Sequence, residues 1–139
     1  MGKARPRNVR SPPRPVVLDS GALIAFERGD ERMRALLVEA RKAGARLVIP
    51  AGVLGQVWRE PTRQVAIVSL LKAAETTVPP LDKVLAEAAG ILCGQRQASD
   101  VIDASVVLVA RREGPRTVVV TSDIADLRHL DKSIELHRI

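Results

Sequence analysis

The segment that most constrains the fold runs from Val101 to Ala110, because a helix that is apolar nearly all round has to be buried. Only Asp103 and Ser105 are polar within it. Asp100 stands at its entrance. After a turn at Gly114-Pro115, an apolar strand from Thr117 to Val120 runs into Thr121-Ser122-Asp123. Aspartate is disfavoured in helix interiors and in strands, yet here it marks the entrance of one buried element and the exit of the next. An ionised carboxylate buried without a partner costs on the order of several kcal/mol, so Asp103 needs compensation.

A buried helix also needs a sheet to lie on, and the rest of the chain supplies one. Val16-Val17-Leu18 is a continuous apolar run closed by Asp19, as expected of a strand covered on both faces. Ser20 and Gly21 turn the chain into a short helix, Ala22 to Arg28. Asp30 is placed to cap a second helix reaching Lys42, with Gly44 as its stop. Leu47-Val48-Ile49 is the next strand, ended by Pro50, and Ala51 to Arg59 reads as helical. Pro61 suits the first turn of a helix running to about Ala74. Thr76-Thr77-Val78 is a weaker strand. Asp82 caps a helix whose apolar positions include Val84, Leu85, Ala88, Ile91 and Leu92, with Gly94 as its end. A short helical turn near Leu127 precedes Ser133 to Ile139, which alternates like a half-exposed edge strand. Strands thus alternate with helices from residue 16 to residue 139, with no internal repeat or linker. The fold class expected is α/β: a three-layer α/β/α sandwich on a mainly parallel sheet of about five strands.

Charge separates a tail from this body. Lys3, Arg5, Arg7, Arg10 and Arg14 fall in residues 1–15 without an acid and account for five of the net +6. A Pro/Arg-rich leader of this kind is expected to be disordered; it could help hold a polyanion or simply keep the protein in solution. No apolar run reaches the roughly 18 residues of a membrane span. The one cysteine, Cys93, cannot form an internal disulfide and reads as a small buried hydrophobe. The expected location is cytoplasmic.

In an open parallel sheet, ligands bind beyond the C-terminal strand ends where the strand order reverses. If the strands ending at Asp19 and Asp123 are neighbours there, both carboxylates face one crevice, and Asp100 and Asp103, three apart on one helical face, start at the same rim. A divalent cation compensates such a cluster naturally: Mg²⁺ and Mn²⁺ take oxygen ligands, activate water and stabilise charge in phosphoryl transfer. No Cys/His cluster suits zinc, and no Gly-rich loop cradles phosphate. Asp100 fits an N-cap equally well. Asp19 has Ser20 beside it as the better capping residue, which leaves its carboxylate for the site. Asp126 reads as a solvated surface charge. Glu27, two turns past Asp19, could point back to the cleft or into water. Phe26 and Trp58 read as core or interface residues, and His129 and His137 as surface ones. An aspartyl-phosphate enzyme of the haloacid-dehalogenase kind would need an acid two residues past Asp19, where Gly21 stands.

The ordered motifs Asp19-Ser-Gly-Ala-Leu-Ile-Ala, Val48-Ile-Pro-Ala followed by a helix, Asp103-Ala-Ser-Val-Val and Thr121-Ser122-Asp123 resemble the PIN-domain ribonucleases, most of all the VapC toxins of bacterial toxin–antitoxin systems. The resemblance spans about residues 15–138. It implies a five-stranded parallel sheet, an acidic pocket for Mg²⁺ or Mn²⁺, and hydrolysis of RNA phosphodiester bonds by metal-activated water. Asp19, Asp103 and Asp123 match the first, third and fourth family carboxylates, as catalytic residues and metal ligands. The second, usually a Glu on the helix after the second strand, is here Gln56, a neutral and weaker ligand; Asp100 or Glu27 would have to stand in as auxiliary groups. The resemblance further implies a cognate antitoxin protein and a homodimer. The competing expectation, carried by Gln56, is a catalytically weakened PIN fold acting as an RNA- or protein-binding module.

Overall fold

The structure, a computed structural model, describes residues 12–139, so most of the basic tail lies outside the described residues. The chain alternates as expected. Strand β1 (Val16–Leu18) is followed by helices α1 (Ser20–Glu27) and α2 (Glu31–Lys42), and β2 (Leu47–Val48) by α3 (Ala51–Val57) and α4 (Val65–Lys72). Then come β3 (Thr76–Thr77), α5 (Lys83–Arg96), α6 (Val101–Glu113), β4 (Val118–Thr121), α7 (Ile124–Leu130) and β5 (Glu135–Arg138). The five strands form one sheet in the order β3-β2-β1-β4-β5, and every pairing is parallel. The chain moves outward from β1 to β3, then crosses back to β4. With right-handed crossovers, this places α1–α4 on one face and α5–α7 on the other, the three-layer sandwich expected.

The centre of the sheet follows from composition. Val17, Leu18, Leu47, Val48, Val119 and Val120 are fully buried, since β1, β2 and β4 are covered on both faces. Each such side chain contributes roughly 1.5–3 kcal/mol by leaving water. Helix α6 is buried along Ala104–Val107 and at Val109 and Ala110, as its apolar circumference requires. Strand β5 is the exposed edge, with only Leu136 of its residues half-buried.

Three local readings are corrected. The segment after Pro61 is not one helix. A 3₁₀ turn (Pro61–Arg63) ends at Gln64, and α4 starts afresh at Val65. Gln64 is buried, and its amide accepts from the backbone N–H groups of Arg59 and Glu60 while donating to the Val57 carbonyl; those three bonds fix a corner that a continuous helix would destroy. Helix α5 does not stop at Gly94 but continues to Arg96, and its cap is Gln97 in the left-handed region, φ 53°. Packing against α6 carries α5 past the glycine. Val84 and Ile91 on α5 are not core residues: they are 68% and 63% exposed, and Leu85, Ala89 and Leu92 face inward instead. At the start of the body, Arg14 donates to the Arg116 carbonyl and pairs with Glu135, and the Pro15 carbonyl accepts from Val118.

Candidate metal centre

β1 and β4 are direct neighbours, with Leu18 opposite Val120. They bring Asp19 and Thr121-Ser122-Asp123 to one place at the C-terminal rim. The Asp19 N–H donates to the Val120 carbonyl at 3.0 Å, prolonging the ladder. The Asp19 side chain then leaves the sheet as the N-cap of α1, contrary to the expectation that Ser20 would take that role. Its Oδ1 accepts from the Ser20 N–H at 2.7 Å. Its Oδ2 accepts from the Thr121 hydroxyl at 2.9 Å, and the same Thr121 oxygen accepts from the Asp123 N–H at 2.9 Å. One buried hydroxyl therefore sets Asp19 and Asp123 relative to each other.

The approach of α1 to this loop depends on Gly21. A β-carbon there would lie 2.1 Å from Ser122 Oγ and 2.8 Å from Ser122 Cβ, inside any tolerable contact. Gly21 is thus required by proximity, its backbone being ordinary helix.

Asp103 arrives from the opposite layer. Asp100 is the N-cap of α6, and its Oδ1 accepts from the Asp103 N–H at 3.0 Å. Asp123 likewise caps α7, accepting weakly from the Asp126 N–H at 3.4 Å. One carboxylate oxygen from each of Asp103, Asp123 and Asp126 lies within 4.8 Å of the others. Asp19, 3% exposed, is not part of this trio but is tied to Asp123 through Thr121. Asp126 is exposed, as expected, yet it belongs to the cluster. The spacing Asp123–Asp126, three apart in a first helical turn, was the available signal.

The electrostatics are those of crowded like charges. Asp103 is pushed up to about 7, first by burial and then by Asp100, Asp19, Asp123 and Asp126. Asp19 is raised by burial, against the bonds from Ser20 and Thr121, with Asp123 and Asp100 adding repulsion. Asp126 is raised mainly by its hydrogen-bonded contact with Asp123. Among the described residues, no Lys or Arg forms an ion pair with any of these acids. Unpaired carboxylates with all-oxygen donors are the donor set that Mg²⁺ or Mn²⁺ takes, so the residues present fit such an ion.

An open cavity of about 250 Å³ lies over Asp100, Asp103 and Asp126, walled by Gln97, Ser99 and His129. Of the auxiliary groups only Asp100 lines it: Glu27 is exposed at the last turn of α1, and Gln56 is exposed on α3. Gln56 does lie one turn beyond Gly52, whose α-carbon faces the Ile102 side chain next to Asp103, so α3 borders the centre even though its amide points to water. His129 and Gln97 gave no sequence signal. They reach the cavity only because α7 and the end of α5 pack together. A second cavity, about 260 Å³, opens at the opposite end of the sheet near Thr117, but its charged residues are already paired, Arg111 with Asp131 and Glu135 with Arg14.

No helix among the described residues is long and apolar enough to cross a membrane. No protein-family model matches the chain, and no match was found among curated proteins. Solved structures do match. A chain of VapBC2 from Rickettsia felis, crystallised with a DNA fragment from its promoter, aligns over 89% of this chain and 98% of its own, with TM-score 0.64 and 12% identity. A chain of DNA-bound VapBC from Salmonella typhimurium aligns over 90% and 98%, with TM-score 0.65 and 16% identity. A chain of FitAcB from Neisseria gonorrhoeae aligns over 88% and 96%, with TM-score 0.59 and 12% identity. With nearly the full length aligned on both sides, the five-stranded parallel α/β sandwich of this chain is the fold found in these VapBC and FitAcB structures.

Proposed function

We propose that the chain is a metal-dependent endoribonuclease that hydrolyses RNA phosphodiester bonds, and that it is the toxin of a toxin–antitoxin pair. The observation that carries this reading is the gathering of Asp103, Asp123 and Asp126, without a basic partner and with Asp19 tied to Asp123 through Thr121, at the strand-end rim where ligands of parallel sheets bind. Asp19, Asp103 and Asp123 are the proposed catalytic and metal-holding residues, with Asp126 completing the cluster. A bound Mg²⁺ or Mn²⁺ would supply Lewis acidity toward a phosphate and a water. The protein's own share is positional. Thr121 holds Asp19 and the Asp123 backbone together, and Asp100 orients the first turn of α6 and raises the basicity of Asp103. The likeness to VapBC complexes supports an antitoxin partner; the motif resemblance adds a homodimer, and a cytoplasmic site of action belongs to the same reading.

The test is cleavage of RNA by the purified chain with Mg²⁺ or Mn²⁺, beside Asp19→Asn and Asp103→Asn. Activity should vanish with EDTA and in both variants. Cleavage that persists in either variant refutes the site. The exposed amide of Gln56 favours a second reading, a catalytically weakened binding module; absence of both cleavage and measurable heat of Mn²⁺ binding would favour that instead.

A further inference from the structure

Beside the acidic cavity lies a second hollow of opposite character, about 310 Å³, walled by Arg96, Gln97, His129 and Lys132 with no acid in its lining. Gln97 and His129 belong to both hollows, so the sign of the surface charge reverses across them. His129 is a fixed wall: its Nε2 lies 2.6 Å from the Arg96 carbonyl, tying α7 to the end of α5. Arg96 and Lys132 make no ion pair among the described residues.

Gln97 is held at this seam in an unfavourable conformation. It is the only non-glycine with positive φ among the described residues. Helix caps of this kind are normally glycine or asparagine, yet the chain spends its nearby glycine, Gly94, inside α5, where nothing within 4 Å requires it. The Gln97 N–H closes the helix on the Cys93 carbonyl, a bond any residue would make. Its side chain is exposed and its amide makes no hydrogen bond within the described residues, so it is free to meet a ligand. Backbone strain of this kind concentrates where a side chain must be presented to a ligand.

Resting on the ribonuclease reading, we infer that the hollow is a subsite for the RNA nucleotide next to the cut, with Gln97 as the residue that selects its base. A strand whose scissile phosphate lies at the acids must set its next phosphate nearby. Arg96 and Lys132 offer the cationic bed for it, and phosphate contacts of that kind position a strand without reading it. A carboxamide can pair with two groups on a base edge at once, which discriminates bases, and unstacked RNA exposes such edges.

The experiment uses the full chain, Mn²⁺ and a pool of single-stranded RNAs randomised on both sides of the cut. Wild type should favour one base at one flanking position by about tenfold. Gln97→Gly should melt at or above the wild-type temperature because the left-handed cap is relieved, and should still cut, with the preference reduced to about twofold or less. Gln97→Asn tolerates the same backbone and keeps an amide on a shorter arm, so a weaker preference should survive. Lys132→Gln, assayed for RNA binding in EDTA, should lower the salt slope of affinity by about one. A wild type without base preference, a Gln97→Gly protein with the wild-type preference, a folded Gln97→Gly protein that no longer cuts, or an unchanged slope in Lys132→Gln each overturns the subsite alone. Failure of the wild type to cut any RNA with either ion overturns the ribonuclease reading itself.

Discussion

Replacing Asp103 by Asn should stabilise the ion-free protein while abolishing its response to metal. The carboxyl is lifted from the ordinary 3.8 to about 7 by burial and four acidic neighbours. Holding it ionised would cost about 4 kcal/mol at roughly 1.4 kcal/mol per tenfold change in acidity. Asp103 is only half-buried, so solvent screening reduces the expected cost to about 2 kcal/mol. The sign follows from the direction of the shift. An acid raised on folding is neutral in both states below its ordinary value, so the cost is absent near pH 4 or lower. It grows as pH rises through the interval to about 7 and is constant above. In EDTA near pH 8, Asp103→Asn should therefore melt about 8 °C above wild type, at roughly 4 °C per kcal/mol for a domain of this size. The gap should close toward pH 4. Millimolar Mn²⁺ should raise the wild-type melting temperature by mass action and leave the variant nearly unmoved. Calorimetric melts at about pH 4, 6 and 8 with and without Mn²⁺ measure all of this. A variant no more stable than wild type at pH 8 in EDTA would refute the claim that Asp103 is held against its own electrostatics.

Other substitutions test the supports of the centre. Gly21→Ala, whose methyl would lie 2.1 Å from Ser122 Oγ, should cost about 1–3 kcal/mol and displace Asp123, and adding Ser122→Gly should restore much of both stability and cleavage. Thr121→Val removes the hydroxyl shared by Asp19 and Asp123; cleavage should fall about tenfold or more while far-ultraviolet circular dichroism stays native, a loss on the scale of one misplaced catalytic group. Gln64→Ala leaves three backbone groups unpaired and should destabilise by about 2–4 kcal/mol in urea titrations, with little effect on residual turnover per folded molecule. Asp131 feels burial, which raises it, but the Ser133 hydroxyl and backbone and Arg111 prevail and hold it low. Its stabilisation should be full above the ordinary carboxylate range and disappear as pH falls below it, so wild type and Asp131→Asn should differ by about 1 kcal/mol at pH 7 and converge near pH 2.

What could be read from sequence was what short-range pattern controls. The strand of Val16–Leu18 and the nearly all-apolar helix after Asp103 left little alternative, and each made its aspartate conspicuous. The adjacency of β1 and β4 could be stated only as a condition, because no local pattern encodes which strand lies beside which. The errors share a cause as well. Gly94 reads as a stop because glycine weakens helices, but packing of α5 on α6 outweighs that local preference by forming many contacts at once. The break at Gln64 depends on one amide satisfying three backbone groups four to seven residues away, which hydrophobic periodicity does not register. Asp126 and His129 looked like ordinary surface residues since exposure and membership of a site are not exclusive. Asp19 was expected to leave capping to Ser20, whereas its two oxygens serve the cap and Thr121 together.

The hydrogen bond between Asp19 and Thr121 joins residues 102 positions apart, and this ties the centre to the order of assembly. Short-range helices such as α1 and α2 can form early, but β4 has to find β1 across a long separation in the chain before β5 can add to its far side, the slow kind of closure for a chain. Until it does, the acids remain scattered along an incomplete polymer, each with its ordinary hydration. A stretch of the chain ending before β4 lacks Asp123 and Asp126, and one without β1 lacks the neighbour on which β4 is paired. The cluster therefore exists only in molecules that have completed the middle of their sheet, which makes finished folding itself the first control on whatever the site does.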